Sequence, residues 1–126
     1  MEELWLRKIV LRTERCSDLE NFLVEVLGAE ITHLAADSFL ADVAGITFEV
    51  RPGTPVLDAF EFWVTPAFMA DIISRWEFYQ FRRGATLSNV ATRTSFSCQD
   101  TEGRVWSVFT RPLLGTEHPP VSVRNC

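Results

Sequence analysis

"SFSCQDTEGRVWSVF", residues 95–109, is an alternating run, a polar turn over Asp100–Gly103 and a second alternating run. Period-two alternation marks half-buried strands, and a short polar stretch with glycine reverses the chain between them. The stretch therefore reads as a hairpin, with Ser107 the only polar position along its second strand. Just before it, "LSNVATRT" supplies another extended segment, and "RVWSVFTRP" ends the series.

Upstream of the hairpin the period changes from two to 3.6. "AFMADIISRWEFYQFRRG" is capped by Thr65, has Pro66 at its first helical position and closes at Gly84. Proline is tolerated there because the first amide has no helical partner. Phe68, Ile72, Ile73, Trp76 and Tyr79 or Gln80 are expected to face inward. Arg82 and Arg83 sit at the negative end of the helix dipole. "FEFWVT" (60–65) precedes the helix as a strand, with Phe60, Phe62 and Val64 on one face and Glu61, Trp63 and Thr65 on the other. Trp106 belongs to the helix-facing register of its strand.

The same grammar appears once before. "LRKIVLRT" (6–13) alternates, with Ile9 and Leu11 against Lys8, Val10 and Arg12. "SDLENFLVEVLG" then carries Leu19, Phe22, Leu23, Val26 and Leu27 on one helical stripe. Ser17 and Glu20 have the spacing of a capping box, and Gly28 suits the left-handed residue that ends a helix. "EITHLA", "FLADVA" and "ITFEVRP" follow as three strands, the last stopped by Pro52–Gly53. "GTPVLDA" joins the halves. Each half is a strand, a helix and about three strands, too small to bury both faces of its sheet alone. The expected class is α+β. The first module spans residues 4–53, the second 58–112, and 113–126 form a tail rich in proline within one domain. The same periodicities also permit a ferredoxin-like or dimeric-barrel arrangement.

With 126 residues the chain is long enough to bury roughly two thirds of its unfolded surface. A net charge of −5 argues against nucleic acid or an anionic membrane as partner. Cys16, Cys98 and Cys126 show no paired spacing, so free thiols are expected, not a disulfide framework or a structural zinc site. "MEELWLRKIV" is too short and acidic for a secretory signal, and no apolar run reaches membrane-spanning length. A cytoplasmic location follows as the expectation.

The ordering resembles the vicinal oxygen chelate superfamily, the glyoxalase and bleomycin-resistance fold, over residues 4–112. "LRT…SDLENFLVEVLGAE", "ITFEVRPG", "FEFWVTP" and "QDTEGRVWSVF" carry the likeness in order. It implies two βαβββ modules forming a curved mixed sheet with outer helices. It also implies, for enzymes of the family, a divalent metal held by one side chain from each of four strands. Carried over, those positions fall at Lys8, Glu49, Ala59 or Phe60, and Ser107. An ammonium, a methyl or phenyl group and one hydroxyl cannot complete a site around a single carboxylate. No metal and no cofactor are therefore expected. His33, in an edge-like strand, and His118, in the tail, fall at no ligand position.

The faces turned away from the helices are expected to present Lys8, Arg12, Glu49, Arg51, Glu61, Trp63, Ser107 and Phe109. One reading is structural: Lys8 pairs with Glu49 or Glu61 and fills the former metal position. The other is functional: Arg12 or Arg51 meets an anionic or carbonyl group on a ligand stacked against Trp63. Glu49 is the one candidate for a general base, which would require an apolar surrounding that raises its pKa. Ser107 has no His or Lys spaced to activate it, and Cys98 reads as a small strand residue. Trp5 and Trp106 are assigned to core or interface. The resulting expectation is a metal-free, homodimeric protein that binds a small organic molecule. The alternative is a glyoxalase- or dioxygenase-like metalloenzyme with an unusual ligand set, lyase- or isomerase-like in chemistry.

Overall fold

In a computed structural model, residues 8–84 and 87–110 are described. The tail from 113, together with Trp5, His118 and Cys126, lies outside the described residues. The order is β1 (Lys8–Thr13), α1 (Cys16–Glu25), β2 (Glu30–Ala35), β3 (Ser38–Val43) and β4 (Ile46–Pro52). It then repeats as β5 (Ala59–Val64), α2 (Pro66–Arg83), β6 (Asn89–Ala91), β7 (Ser95–Gln99) and β8 (Val105–Thr110). These are two βαβββ units. As expected for paired modules, the strands form mixed sheets, two of four strands each, ordered β1-β4-β3-β2 and β5-β8-β7-β6. In each, the first strand runs parallel to the last and the remaining pairs are antiparallel.

Alternation decides which face is buried. Phe39, Ala41, Phe48 and Val50 from the first sheet, and Phe96, Cys98, Trp106 and Val108 from the second, are all at most 3% exposed. Leu19, Phe22, Leu23 and Val26 of the first helical segment join them, as do Met69, Ile72, Trp76 and Tyr79 of α2. Tyr79, not Gln80, takes the inward position; the Gln80 amide instead exchanges hydrogen bonds with the Leu87 backbone. Each large apolar side chain so buried contributes roughly 1.5–3 kcal/mol. Trp106 is where the units meet: its ring lies 5.8 Å from Phe22, 5.6 Å from Phe48 and stacks on Phe60 at 4.6 Å. One core thus serves both sheets.

A polar clamp holds the units in register. The Asp100 carboxylate accepts from the amides of Glu102, Gly103 and Arg104 at 2.9–3.2 Å, closing the β7–β8 turn from inside. Its second oxygen accepts from Arg104 Nη1 at 3.1 Å and Trp106 Nε1 at 3.0 Å. Arg104 also donates to Glu102 Oε1 at 2.8 Å and to the Arg12 carbonyl. Glu102 accepts from the Thr13 hydroxyl at 2.8 Å and the Glu14 amide at 2.9 Å. Burial alone would raise the Glu102 pKa, but these donors outweigh it and hold the carboxyl below its ordinary value.

The clamp also explains why the expected capping box is absent. α1 begins at Cys16, so Ser17 lies inside the first turn and no side chain caps the helix. The entering chain is already fixed by Glu102 at the Glu14 amide and by Thr13 Oγ1 at the Arg15 amide, 2.9 Å. Glu20 turns instead to His33 of β2, at 3.0 Å. α2 behaves as read: Thr65 Oγ1 accepts from the Phe68 amide at 3.1 Å, Pro66 leads, and Gly84 is left-handed at φ 67°.

Thr65→Ala is expected to lower stability by about 1 kcal/mol, whereas Ser17→Ala stays within about 0.5 kcal/mol, both read by urea unfolding. Arg104→Met, which strands two buried carboxylates, is expected to cost about 3–5 kcal/mol in the same measurement.

Candidate functional site

The eight residues singled out from the sequence come together as two groups of four. In the first sheet Val10 lies opposite Glu49 and Arg12 opposite Arg51, so Lys8, Arg12, Glu49 and Arg51 share the face turned from the core. In the second, Glu61 lies opposite Ser107 and Trp63 opposite Phe109. The two faces differ in chemistry.

The first is charged. Lys8 Nζ donates to Glu49 Oε1 at 2.5 Å, and Arg51 Nε donates to Glu49 Oε2 at 2.8 Å. Lys8 has chosen Glu49 over Glu61. The Arg51 bond, then the Lys8 bond, bring the Glu49 pKa from 4.5 down to about 2. This corrects the general-base expectation: the environment is two cations, not an apolar wall, and it stabilises the carboxylate instead of its protonated form.

Arg12 is placed differently. It faces Arg51 directly, a like-charge cross-strand pair that is unfavourable when uncompensated. Arg51 has Glu49; the Arg12 guanidinium has no carboxylate among the described residues. Its backbone is pinned through the carbonyl that Arg104 engages. Its stem runs over Gly53, where a Cβ would stand 3.0 Å from Arg12 Cδ and the φ of +150° excludes other residues. Arg12 is an exposed cation on a fixed base.

The second face is hydroxyl-rich and aromatic. Ser107, only 5% exposed, shares a 2.7 Å hydrogen bond with Ser97. The Trp63 ring, 54% exposed, lies 5.8 Å from Phe109 at a tilt. Among the described residues the Ser107 hydroxyl bonds another hydroxyl, that of Ser97. Cys98 faces the core, where burial pushes its thiol up to about 12. His33 is exposed, pairs with Glu20 and sets its ring edge against Phe39.

The donor set does not fit the divalent metal that the fold family implies. At the four positions in question, Lys8 already occupies Glu49, Ala59 offers a methyl group, Phe60 is stacked on Trp106, and Ser107 is bonded to Ser97. Hard divalent ions need several free oxygen or imidazole donors. Among the described residues no group of three or more His, Cys, Asp and Glu side chains is placed to hold one.

Sequence reasoning missed the clamp. Its signal was nonetheless present: Asp100 continues the inward register of Phe96 and Cys98, and Arg104 that of Trp106 and Val108. Two opposite charges in core register must be partners.

No family model matches the chain, and no curated protein matches it. Among solved structures it is similar to the genomically encoded fosfomycin resistance protein FosX of Listeria monocytogenes, with a TM-score of 0.67 at 13% identity, over 90% of this chain and 95% of that one. Another FosX structure holds Mn(II) and sulfate. The oxidase ChaP-H2 aligns with a TM-score of 0.68 at 16% identity, over 88% and 96%. An integron cassette protein from the mobile metagenome of V. cholerae gives 0.62 at 18%, over 89% and 98%. The chain shares the fold of these proteins, paired βαβββ units of the glyoxalase/bleomycin-resistance type. No helix of the described residues is long and apolar enough to cross a membrane.

Because the Glu49 pKa is lower in the folded than in the unfolded chain, its ion pairs stabilise the fold above about pH 4.5. That stabilisation is lost as pH falls toward about 2. Glu49→Gln is expected to flatten this part of the acid limb of stability against pH, measured by urea midpoints between those values.

Proposed function

We propose that this protein binds a small organic molecule on the open sheet faces, without a catalytic metal, and works as a homodimer in the cytoplasm. The observation that carries the reading is Arg12, an oriented guanidinium opposite a second arginine with no counter-ion of its own among the described residues. Such a group is suited to a carboxylate or carbonyl, which would relieve the like-charge pairing and gain charge-assisted hydrogen bonds. Lys8, Glu49 and Arg51 form the charged floor beside it. Trp63 and Phe109 offer aromatic area on the second sheet. A dimer would cover the exposed aromatics.

Glu49 already carries two cations, which supports binding without metal. One observation favours the alternative of a metalloenzyme with an unusual ligand set: the structurally similar FosX takes Mn(II). Elemental analysis of the purified protein separates the two, a stoichiometric divalent ion overturning the proposal.

For the ligand, benzoate titrated into the full chain and followed by backbone-amide NMR is expected to shift residues around Arg12 and Arg51. Arg12→Gln is expected to weaken benzoate by about 1.5–3 kcal/mol, roughly ten- to a hundredfold. Unchanged affinity in that variant, or shifts confined elsewhere, refutes the assignment.

A further inference from the structure

A cavity of about 220 Å³ opens at the seam between the two units, away from the arginine pair. Leu27, Ile46, Phe62, Phe68 and Ile72 are among its walls, drawn from the end of the first helical segment, the β3–β4 hairpin, β5 and α2. Exposed Glu61 and Trp63 also line it. Ile46 and Arg51 sit near opposite ends of β4, five residues apart, which is about 16 Å along a strand. The cavity is therefore distinct from the Arg12 position.

Its chemistry is one-sided. Every lining residue but Glu61 is apolar, and Glu61 is the only one of them that carries an ionisable group. Among the described residues Glu61 makes no ion pair or hydrogen bond, since Lys8 is engaged by Glu49. An apolar cavity of ~150 Å³ accommodates a benzene ring, so this one has room for a ring on a short chain. Its single uncompensated charge is negative.

We infer that this seam cavity is a second binding site, selective for hydrophobic primary amines of the arylalkyl class. The ring lies among Leu27, Phe62, Phe68 and Ile72, and the short chain carries the ammonium past the free edge of β5 to Glu61, which projects from the other side of that strand. Removing the apolar body from water supplies most of the affinity, and the carboxylate supplies selectivity by charge. A carboxylate-bearing ligand of the same shape meets repulsion there, the opposite preference to that proposed for Arg12.

The test uses three probes of similar size, 2-phenylethylammonium, 2-phenylethanol and 3-phenylpropionate, titrated into the full chain and followed by methyl NMR. The amine is expected to shift the methyl groups of Leu27, Ile46 and Ile72 and to bind about fivefold more tightly than the alcohol. Glu61→Gln should erase that difference while leaving the alcohol unchanged. Ile46→Trp, a filling change at a partly exposed position, should abolish both. Arg12→Gln should leave the amine titration unaltered. Absence of methyl shifts at the solubility limit overturns the inference, as does equal binding of the acid and the amine. Loss of amine binding in Arg12→Gln also overturns it, by showing one site where two are claimed. Failure of benzoate at Arg12 with success of the amine here would remove only the open-face reading.

Discussion

The buried pairing of Arg104 with Asp100 and Glu102 is the constraint on which the arrangement of this protein depends. Both partners of the Arg104–Asp100 pair have side chains only 1% exposed. Charges so far from water are tolerated because nearly every donor and acceptor around them is used. Asp100 shapes its own turn, anchors the Trp106 indole and receives Arg104. Arg104 and Glu102 then cross to the first unit at Arg12, Thr13 and Glu14. The apolar core supplies most of the driving force for folding, but it has little directional preference. The clamp has strict directions, and so fixes how one βαβββ unit sits on the other.

That fixed relation has consequences at the surface. Arg12 is held from behind through its carbonyl and from the side by Gly53, while its charged end remains exposed. The neighbouring Glu49, by contrast, is consumed by Lys8 and Arg51. Lys8, Glu49, Phe60 and Ser107, the positions onto which the resemblance carries the metal ligands, are engaged in an internal ion pair, an aromatic stack and a serine pair. A shared fold leaves the chemistry open.

The scaffold also separates regions of opposite charge. Cations gather where β1 and β4 end, near the clamp; an unpaired carboxylate stands at the seam, beside an apolar hollow. Because strands are stiff and side chains alternate, about 16 Å of β4 keeps these environments apart.

The sequence by itself determined the elements, their order and the facing of their side chains. Alternation and the 3.6-residue stripe depend only on local geometry, so the strands through Phe48 and Trp106, the α2 cap at Thr65 and the open-face set from Lys8 to Phe109 were legible in one dimension. Tertiary structure alone decided the partners. Glu49 takes Lys8 and Arg51, Glu20 leaves its helix end for His33, and Glu102 caps a strand-to-helix junction 88 residues away in the chain. Such choices depend on distances between segments remote in sequence, and no local period carries them.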